Sequence, residues 1–198
     1  MVESGWFYST VIDPVLAGMR NKVAGIIPKG QTILDVACGT GAQVFELAAT
    51  AKDVTGIDLS ESMIRKAEQT RQKRNISNVH FRVCDATGKW KFEDNQFDVA
   101  IITLALHQFP PENYATILDE MKRVANQIVI ADYAVPLPQN ITGWGSRIAE
   151  FFAGREHHRN FRKYYRKGGL KTIAAENNLI VQHKVSFARG AFQLVVCS

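Results

Sequence analysis

Long apolar runs are absent from this chain, and so is an even set of cysteines. No stretch approaches the roughly 20 apolar residues that a membrane-spanning helix needs. The opening Met1-Val2-Glu3-Ser4-Gly5 has no basic region leading into an apolar core, as a secretory leader would. Cys38, Cys84 and Cys197 neither pair evenly nor stand at metal-ligand spacing, so neither a disulfide framework nor a metal site is expected. A reduced, cytoplasmic protein is the expectation that follows. Repeats and low-complexity tracts are also missing, and 198 residues suit a single domain, 1–198, with a core of its own. Charge of one sign is scarce outside one short segment. Residues 155–167 hold six basic side chains against Glu156, while the remainder balances eighteen basic with eighteen acidic residues, so the net charge of +5 is local. A uniform basic coat for nucleic acid is not what such a distribution describes.

What the chain does have is the run Asp35-Val36-Ala37-Cys38-Gly39-Thr40-Gly41. The extended apolar residues Thr32-Ile33-Leu34 lead into it, and the helix-competent residues 42–49 follow. Strand, glycine-bearing turn and helix in that order open a nucleotide-binding α/β unit, because glycine lets backbone approach a ligand where a side chain would collide. A second strand, Val54-Thr55-Gly56-Ile57, ends in Asp58, where a carboxylate can take both hydroxyls of a ribose. The plainer role for Asp58 is to cap the helix after it. No lysine-serine or lysine-threonine pair follows the glycines, which rules out a P-loop, and Val44 stands where a dinucleotide fold wants its third glycine.

Around this unit strands alternate with helices. Residues 6–27 read as a leading helical segment with Val11, Val15, Leu16, Met19 and Val23 on one face, its helix starting near Pro14. Ser60 is placed to cap a helix running to about Gln72, and residues 79–84 alternate as a third strand ending at Asp85. Residues 97–103 form a nearly continuous apolar run suited to a strand buried on both faces. Pro110-Pro111 opens the next helix, and Ile128-Val129-Ile130-Ala131 is a fifth strand. This alternation predicts a three-layer α/β fold, a mostly parallel sheet with helices on both faces. Near the C-terminus a helix is expected over 170–177, then strand-like runs 179–187 and 191–197 separated only by Ala188-Arg189-Gly190. So short a link joins antiparallel neighbours, and the sheet should end in a hairpin.

From about Gln31 to the C-terminus, these features resemble the class I S-adenosylmethionine-dependent methyltransferases. Asp35 to Gly41 looks like that family's first motif, with Ala37 in place of its first glycine. Asp58 falls at its ribose position, Cys84-Asp85-Ala86 at its adenine-contacting strand end, and Phe97 through Leu106 at its fourth strand. The resemblance implies a Rossmann-like, seven-stranded sheet, S-adenosylmethionine as cofactor and S-adenosylhomocysteine as product. It also implies roles. Asp35 would sit under the turn, ordering it and reaching the donor's ammonium through water. Ala37, Cys38, Gly39 and Gly41 would bring backbone to the amino-acid portion, and Thr103 at the end of the fourth strand would join the cofactor site. Leu59 and Met63 would flank the adenine ring, Asp85 would accept from its amino group, and the Ala86 N–H would donate to a ring nitrogen. The plainer readings are a turn at Asp85 with Gly88, Met63 in the core, and Cys38 and Cys84 as small buried residues.

The acceptor leaves fewer marks. The family's Asn/Asp-Pro-Pro-aromatic motif for amino-group methylation of bases is missing after the fourth strand, as are a Pro-Cys pair and an acidic metal-ligand set beside a lysine. A small-molecule acceptor, apolar or anionic, is therefore expected, with no metal and no nucleic acid. His107, just past the fourth strand, is the acid–base candidate, and its plainer reading is a histidine bonded to loop backbone. Residues 1–27 and 134–167 are expected as lids, the first bringing Tyr8, with Trp6 and Phe7, towards the sulfonium. If helical after Gly154, the second aligns Arg155, Arg159, Arg162 and Arg166 in one stripe with His158, Phe161 and Tyr165 beside it. Such a face would clasp an anionic acceptor or, with Phe151-Phe152, rest across residues 151–167 on an acidic lipid surface, and its plainer reading is a solvated helix with its aromatics in the core. Motif order and this basic-aromatic segment are similar to the quinone/menaquinone and phospholipid methyltransferase group. A nucleic-acid methyltransferase and a non-catalytic S-adenosylmethionine-binding protein are the alternatives.

Overall fold

The computed structural model describes residues 13–140 and 155–198, whose seven strands form one sheet in the order β3-β2-β1-β4-β5-β7-β6. These are β1 (Thr32–Val36), β2 (Asp53–Asp58), β3 (Val79–Val83), β4 (Phe97–Thr103), β5 (Ala125–Tyr133), β6 (Val181–Phe187) and β7 (Phe192–Cys197). The first five run parallel, and β7 lies antiparallel between β5 and β6. The mostly parallel α/β sheet with a closing hairpin, expected from the pattern of elements, is the architecture observed.

Helices α1 (Asp13–Ile26), α2 (Ala42–Leu47), α3 (Glu61–Lys73), α4 (Tyr114–Val124), α5 (Arg155–Lys167) and α6 (Gly169–Glu176) cover the sheet. On one face Met19 and Val23 of α1 join Val44 and Leu47 of α2 against Ile33, Val54, Val99, Ile101 and Val129. On the other, Ile117, Leu118 and Met121 of α4, Phe161 and Tyr164 of α5 and Ile173 of α6 pack on Leu34, Val36, Ala100, Ile102 and Ile130. Successive residues of β1 and β4 thus feed opposite cores, which is why these strands read as unbroken apolar runs. Among the described residues no helix is long and apolar enough to cross a membrane.

Local chemistry explains where elements begin and end. The Ser60 hydroxyl accepts from Met63 N at 3.4 Å and caps α3 as expected. Pro110 does not open the next α-helix directly. It is extended at ψ 142°, as a residue before proline tends to be, and a 3₁₀ turn (Pro111–Asn113) precedes α4. β5 outruns its apolar quartet at both ends because β4 pairs with it from Ala125 and β7 pairs with it as far as Tyr133. β6 starts at Val181 rather than at 179, since Leu179 N still donates back to Ala174 at 2.9 Å. α2 stops at Leu47, whose carbonyl is taken by the amides of Thr50 and Ala51. The β3–β4 link contains no helix, and Trp90 and Phe92 fill its place in the core. Arg123 on α4 secures that link, donating to the carbonyls of Trp90 and Phe92 and to the carboxylates of Glu120 and Asp94.

Candidate active site

Four left-handed residues converge at the carboxyl ends of β1 and β4: Ala37 (φ 57°), Gly39 (φ 55°), Gly41 (φ 80°) and Leu104 (φ 49°). Ala37 and Leu104 hold that conformation at about 1–2 kcal/mol each, a strain typical of sites where chain path matters more than comfort. Gly41 is required twice over, because a Cβ there would stand 2.6 Å from the Phe81 ring. The turn is tied down by Cys38 N donating to Ile57 O at 2.9 Å and Gly39 N donating to Asp58 Oδ2 at 2.8 Å. Ser60 N donates to the other Asp58 oxygen at 2.8 Å. Asp58 therefore performs the ordering expected of Asp35, and it braces the start of α3 as the plainer reading had it.

Asp35 does something else. Paired in register with Gly56 and Ile101 between two neighbouring strands, it is 2% exposed, and no described residue hydrogen-bonds its carboxylate. Burial pushes that carboxyl well above the ordinary carboxylate range, and nearby Asp58 pushes it further. It faces a cavity of about 130 Å³, walled by Ala37, Cys38, Thr103 and Leu104 and by Leu16, Met19, Arg20 and Gln43. The Oε1 of Gln43 and the Oγ1 of Thr103 are buried there without a partner. Buried polar atoms are nearly always satisfied, so two unsatisfied ones beside the buried Asp35 make this hollow suited to a polar ligand. The Cys38 thiol is itself pushed up by burial and by Asp35 and Asp58, which keeps it a neutral wall rather than a nucleophile.

Beside this cavity, at the ends of β2 and β3, Leu59 is 68% exposed, Met63 43% and Val83 51%. Met63 is therefore not a core residue. Asp85 makes the turn that was its plainer reading, its Oδ1 accepting from Thr87 N at 2.8 Å and Thr87 Oγ1 at 2.7 Å. Ala86 is buried, and its carbonyl accepts from the Trp90 indole at 3.3 Å.

His107 lies in a 3₁₀ turn (Leu106–Gln108) beyond β4 and is 2% exposed. Among the described residues, its ring nitrogens meet side chains. Its Nδ1 is 2.6 Å from Asp132 Oδ1, and its own amide donates to Asp132 Oδ2 at 3.1 Å. Tyr133 N donates to the same Asp132 Oδ1 at 2.7 Å. The other ring nitrogen, Nε2, is 3.3 Å from His157 Nε2 on α5. Tyr133, Phe161 and Tyr164 meet the His107 ring edge to face. Two bonds pin α5 over this spot: Asn160 Nδ2 to Gln108 O at 2.7 Å and Tyr164 Oη to Tyr133 O at 2.8 Å.

α5 turns Arg155, Arg159, Arg162 and Arg166 outward as the expected stripe. Its inward face is Asn160, Phe161 and Tyr164, while Tyr165 is only half-buried. A second cavity, of about 330 Å³, lies between Leu137 and this helix, walled by His158, Phe161, Arg162, Tyr165 and Arg166. The expected roles of Trp6, Phe7, Tyr8, Phe151, Phe152 and Gly154 fall outside the described residues. Sequence reasoning missed Leu16, Met19, Arg20, Gln43, Leu104, Asp132, His157 and Asn160. Gln43 carried a faint signal as a polar residue among the apolar ones after the glycines. Asp132 and His157 carried none, since 25 residues of chain separate either from His107 or more.

Residues 33–127 match the family model described as methyltransferase domain. Over 117 residues the chain is 36% identical to the demethylmenaquinone methyltransferase of Bacillus licheniformis, covering 56% of this chain and 48% of that protein. The chain thus spans about half the length of the curated relatives it matches. A solved protein from Pyrococcus horikoshii superposes with a TM-score of 0.73 at 21% identity, over 96% of this chain and 91% of its own. A SAM dependent methyltransferase from Aquifex aeolicus gives 0.67 at 20% identity, over 90% and 88%. At these identities the two structures speak to the fold.

Proposed function

We propose that this chain, whose residues 33–127 match a methyltransferase-domain model, is a class I S-adenosylmethionine-dependent methyltransferase that moves a methyl group from that cofactor onto a small-molecule acceptor. The observation that carries this reading is a cavity beside a left-handed turn, walled by the buried Asp35 and by the unpartnered Gln43 Oε1 and Thr103 Oγ1. Those residues fit the cofactor. A buried carboxylate with no partner takes an ammonium, and the exposed Leu59 and Met63 offer apolar surface to a purine. Asp58 and Asp85 keep lone pairs for the ribose hydroxyls and the adenine amine, because a carboxylate accepts about four bonds. The Ala86 N–H serves the ring edge. When bound, the cofactor supplies a methyl already activated on a sulfonium. What remains for the protein is to aim the acceptor along the sulfur–methyl axis and to exclude water. Of the two segments expected as lids, the described parts are α1, which walls this cavity through Leu16, Met19 and Arg20, and α5.

The acceptor proposed is a small molecule with an apolar ring, lying against Leu137, Phe161 and Tyr165, with Arg162 and Arg166 at hand for an anionic group. Demethylmenaquinone, in the name of the relatives, is the first candidate. Calorimetric titration with S-adenosylhomocysteine and with NAD tests the cofactor, and preference for NAD overturns the reading. Transfer of radiolabelled methyl to demethylmenaquinone and a panel of phenols, amines and carboxylates tests the activity. Binding without transfer to any of them would favour a non-catalytic role. With an acceptor in hand, Arg162→Glu and Arg166→Glu should each raise its KM about tenfold while cofactor affinity stays unchanged. An unmoved KM assigns these arginines to solvent.

A further inference from the structure

We infer that the outward face of α5 docks on an anionic lipid surface, which sets the cavity beside this helix at the lipid boundary. Stepping round α5 at about 100° per residue, Arg162, Arg155, Arg166, Arg159 and Lys163 fall within one arc of about 100°. All five are exposed, and they form a row of cations about 16 Å long. Asn160, Phe161 and Tyr164 turn the opposite face into the core, so the stripe is what α5 offers outward.

The charge of this stripe is poorly balanced within the protein. Glu156 meets Arg159 at 3.5 Å, and Lys167, past the end of the arc, is taken by Glu176 at 2.6 Å. Arg155, Arg162, Lys163 and Arg166 meet no carboxylate among the described residues. Arg155 and Arg159, Arg159 and Lys163, and Arg162 and Arg166 each stand four residues apart, a spacing at which like charges repel and weaken a helix. Arg155 also puts a cation in the first turn, at the positive end of the helix dipole. A helix that met only water would gain from acids at these positions. The rest of the chain carries equal numbers of acids and bases, so the imbalance belongs to this face.

A bilayer rich in acidic headgroups supplies the missing anions as a plane, and one straight row of guanidinium groups fits a plane. Because the apolar residues of α5 are committed to the core, the contact is electrostatic and shallow rather than inserted. Nucleic acid fits less well, since no aromatic side chain lies on the stripe for bases to stack on. Arg162 and Arg166 belong to the stripe and also wall the cavity of about 330 Å³, together with Leu137, Phe161 and Tyr165. Docking by this face therefore brings that cavity to the lipid, where an apolar acceptor can enter it without crossing water. The docking goes beyond methyl transfer, because it needs neither cofactor nor acceptor.

The test is co-sedimentation of the full chain with vesicles of phosphatidylcholine, alone or with about 30% phosphatidylglycerol. Binding is expected only to the acidic vesicles, and it should fall roughly tenfold or more as salt rises from about 0.05 M to about 0.5 M. Each cation near such a surface is worth roughly fivefold in partitioning, so Arg155→Gln with Lys163→Gln should weaken it about 25-fold. Neither residue lines the two cavities. Lys66→Gln with Lys73→Gln removes the same charge from exposed positions on α3 and should leave binding within about twofold. No binding, equal binding to neutral vesicles, or equal weakening by both double variants overturns the inference. Stronger binding to duplex RNA than to acidic vesicles at the same salt overturns it too. A chain that binds acidic vesicles, yet neither binds S-adenosylhomocysteine nor transfers methyl, would sink the proposed function and leave the docking face standing.

Discussion

Replacing Asp35 with asparagine separates what this residue does for the fold from what it does for the ligand. The Asp35 carboxyl is raised above its unfolded value because it is buried and faces Asp58. Between its unfolded and folded pKa the folded protein holds a proton that the unfolded chain has released. Unfolding then sheds a proton, so stability must fall as pH rises through that window. The slope is about 1.4 kcal/mol per pH unit, and for a chain of this length each kcal/mol moves Tm by about 2–4 °C. Without cofactor, the Tm of Asp35→Asn should therefore gain on the wild type by about 3–6 °C per pH unit from pH 5 upward, until the wild-type carboxyl has ionised. This slope is insensitive to whatever constant amount a buried amide costs. Affinity should move the other way. Losing a charge-assisted bond to the ligand ammonium, worth about 1.5–3 kcal/mol, weakens S-adenosylhomocysteine binding at pH 7.5 by about 10- to 100-fold. Thermal melts across pH and calorimetry on both proteins read the two effects. Parallel Tm curves would refute the buried-carboxyl argument, and equal affinities would refute Asp35 as the ammonium's partner.

Gly41→Ala places a Cβ 2.6 Å from Phe81 at a φ of 80° and should destabilise the protein by about 2–4 kcal/mol, read as a Tm drop of several degrees. An unchanged Tm would mean that Phe81 and the turn shift freely. Leu59→Ala and Met63→Ala remove side chains that are largely exposed without ligand, so melts of the free protein should move by less than about 0.5 kcal/mol. The same two variants should weaken S-adenosylhomocysteine binding by about 3- to 30-fold, and calorimetry returning wild-type affinity would take the adenine away from this surface.

The order of strand, glycine turn and helix, and the acids at the ends of β2 and β3, were legible because each depends on neighbours in sequence. So was the closing hairpin, since three residues between two strand-like runs leave no room for a crossover. The basic stripe on α5 was legible for the same reason, being a matter of helical spacing. What sequence could not apportion was which acid does what. Asp35 and Asp58 both follow apolar strands. Only strand register places Asp58 against Gly39 N, leaving Asp35 buried and unpaired. Met63 shows the same limit, its helical position fitting either core or ligand until packing left it exposed.

The sequence by itself determined the α/β architecture and the place of the ligand turn, because hydrophobic period and glycine conformation act within a few residues. The tertiary structure alone decided the chemistry beyond the fourth strand. It brought Asp132 from β5 and His157 from α5 to the two nitrogens of His107, 25 and 50 residues away along the chain. Contacts of that range exist only once the sheet order is set and α5 has been laid across its edge, and no local pattern encodes them.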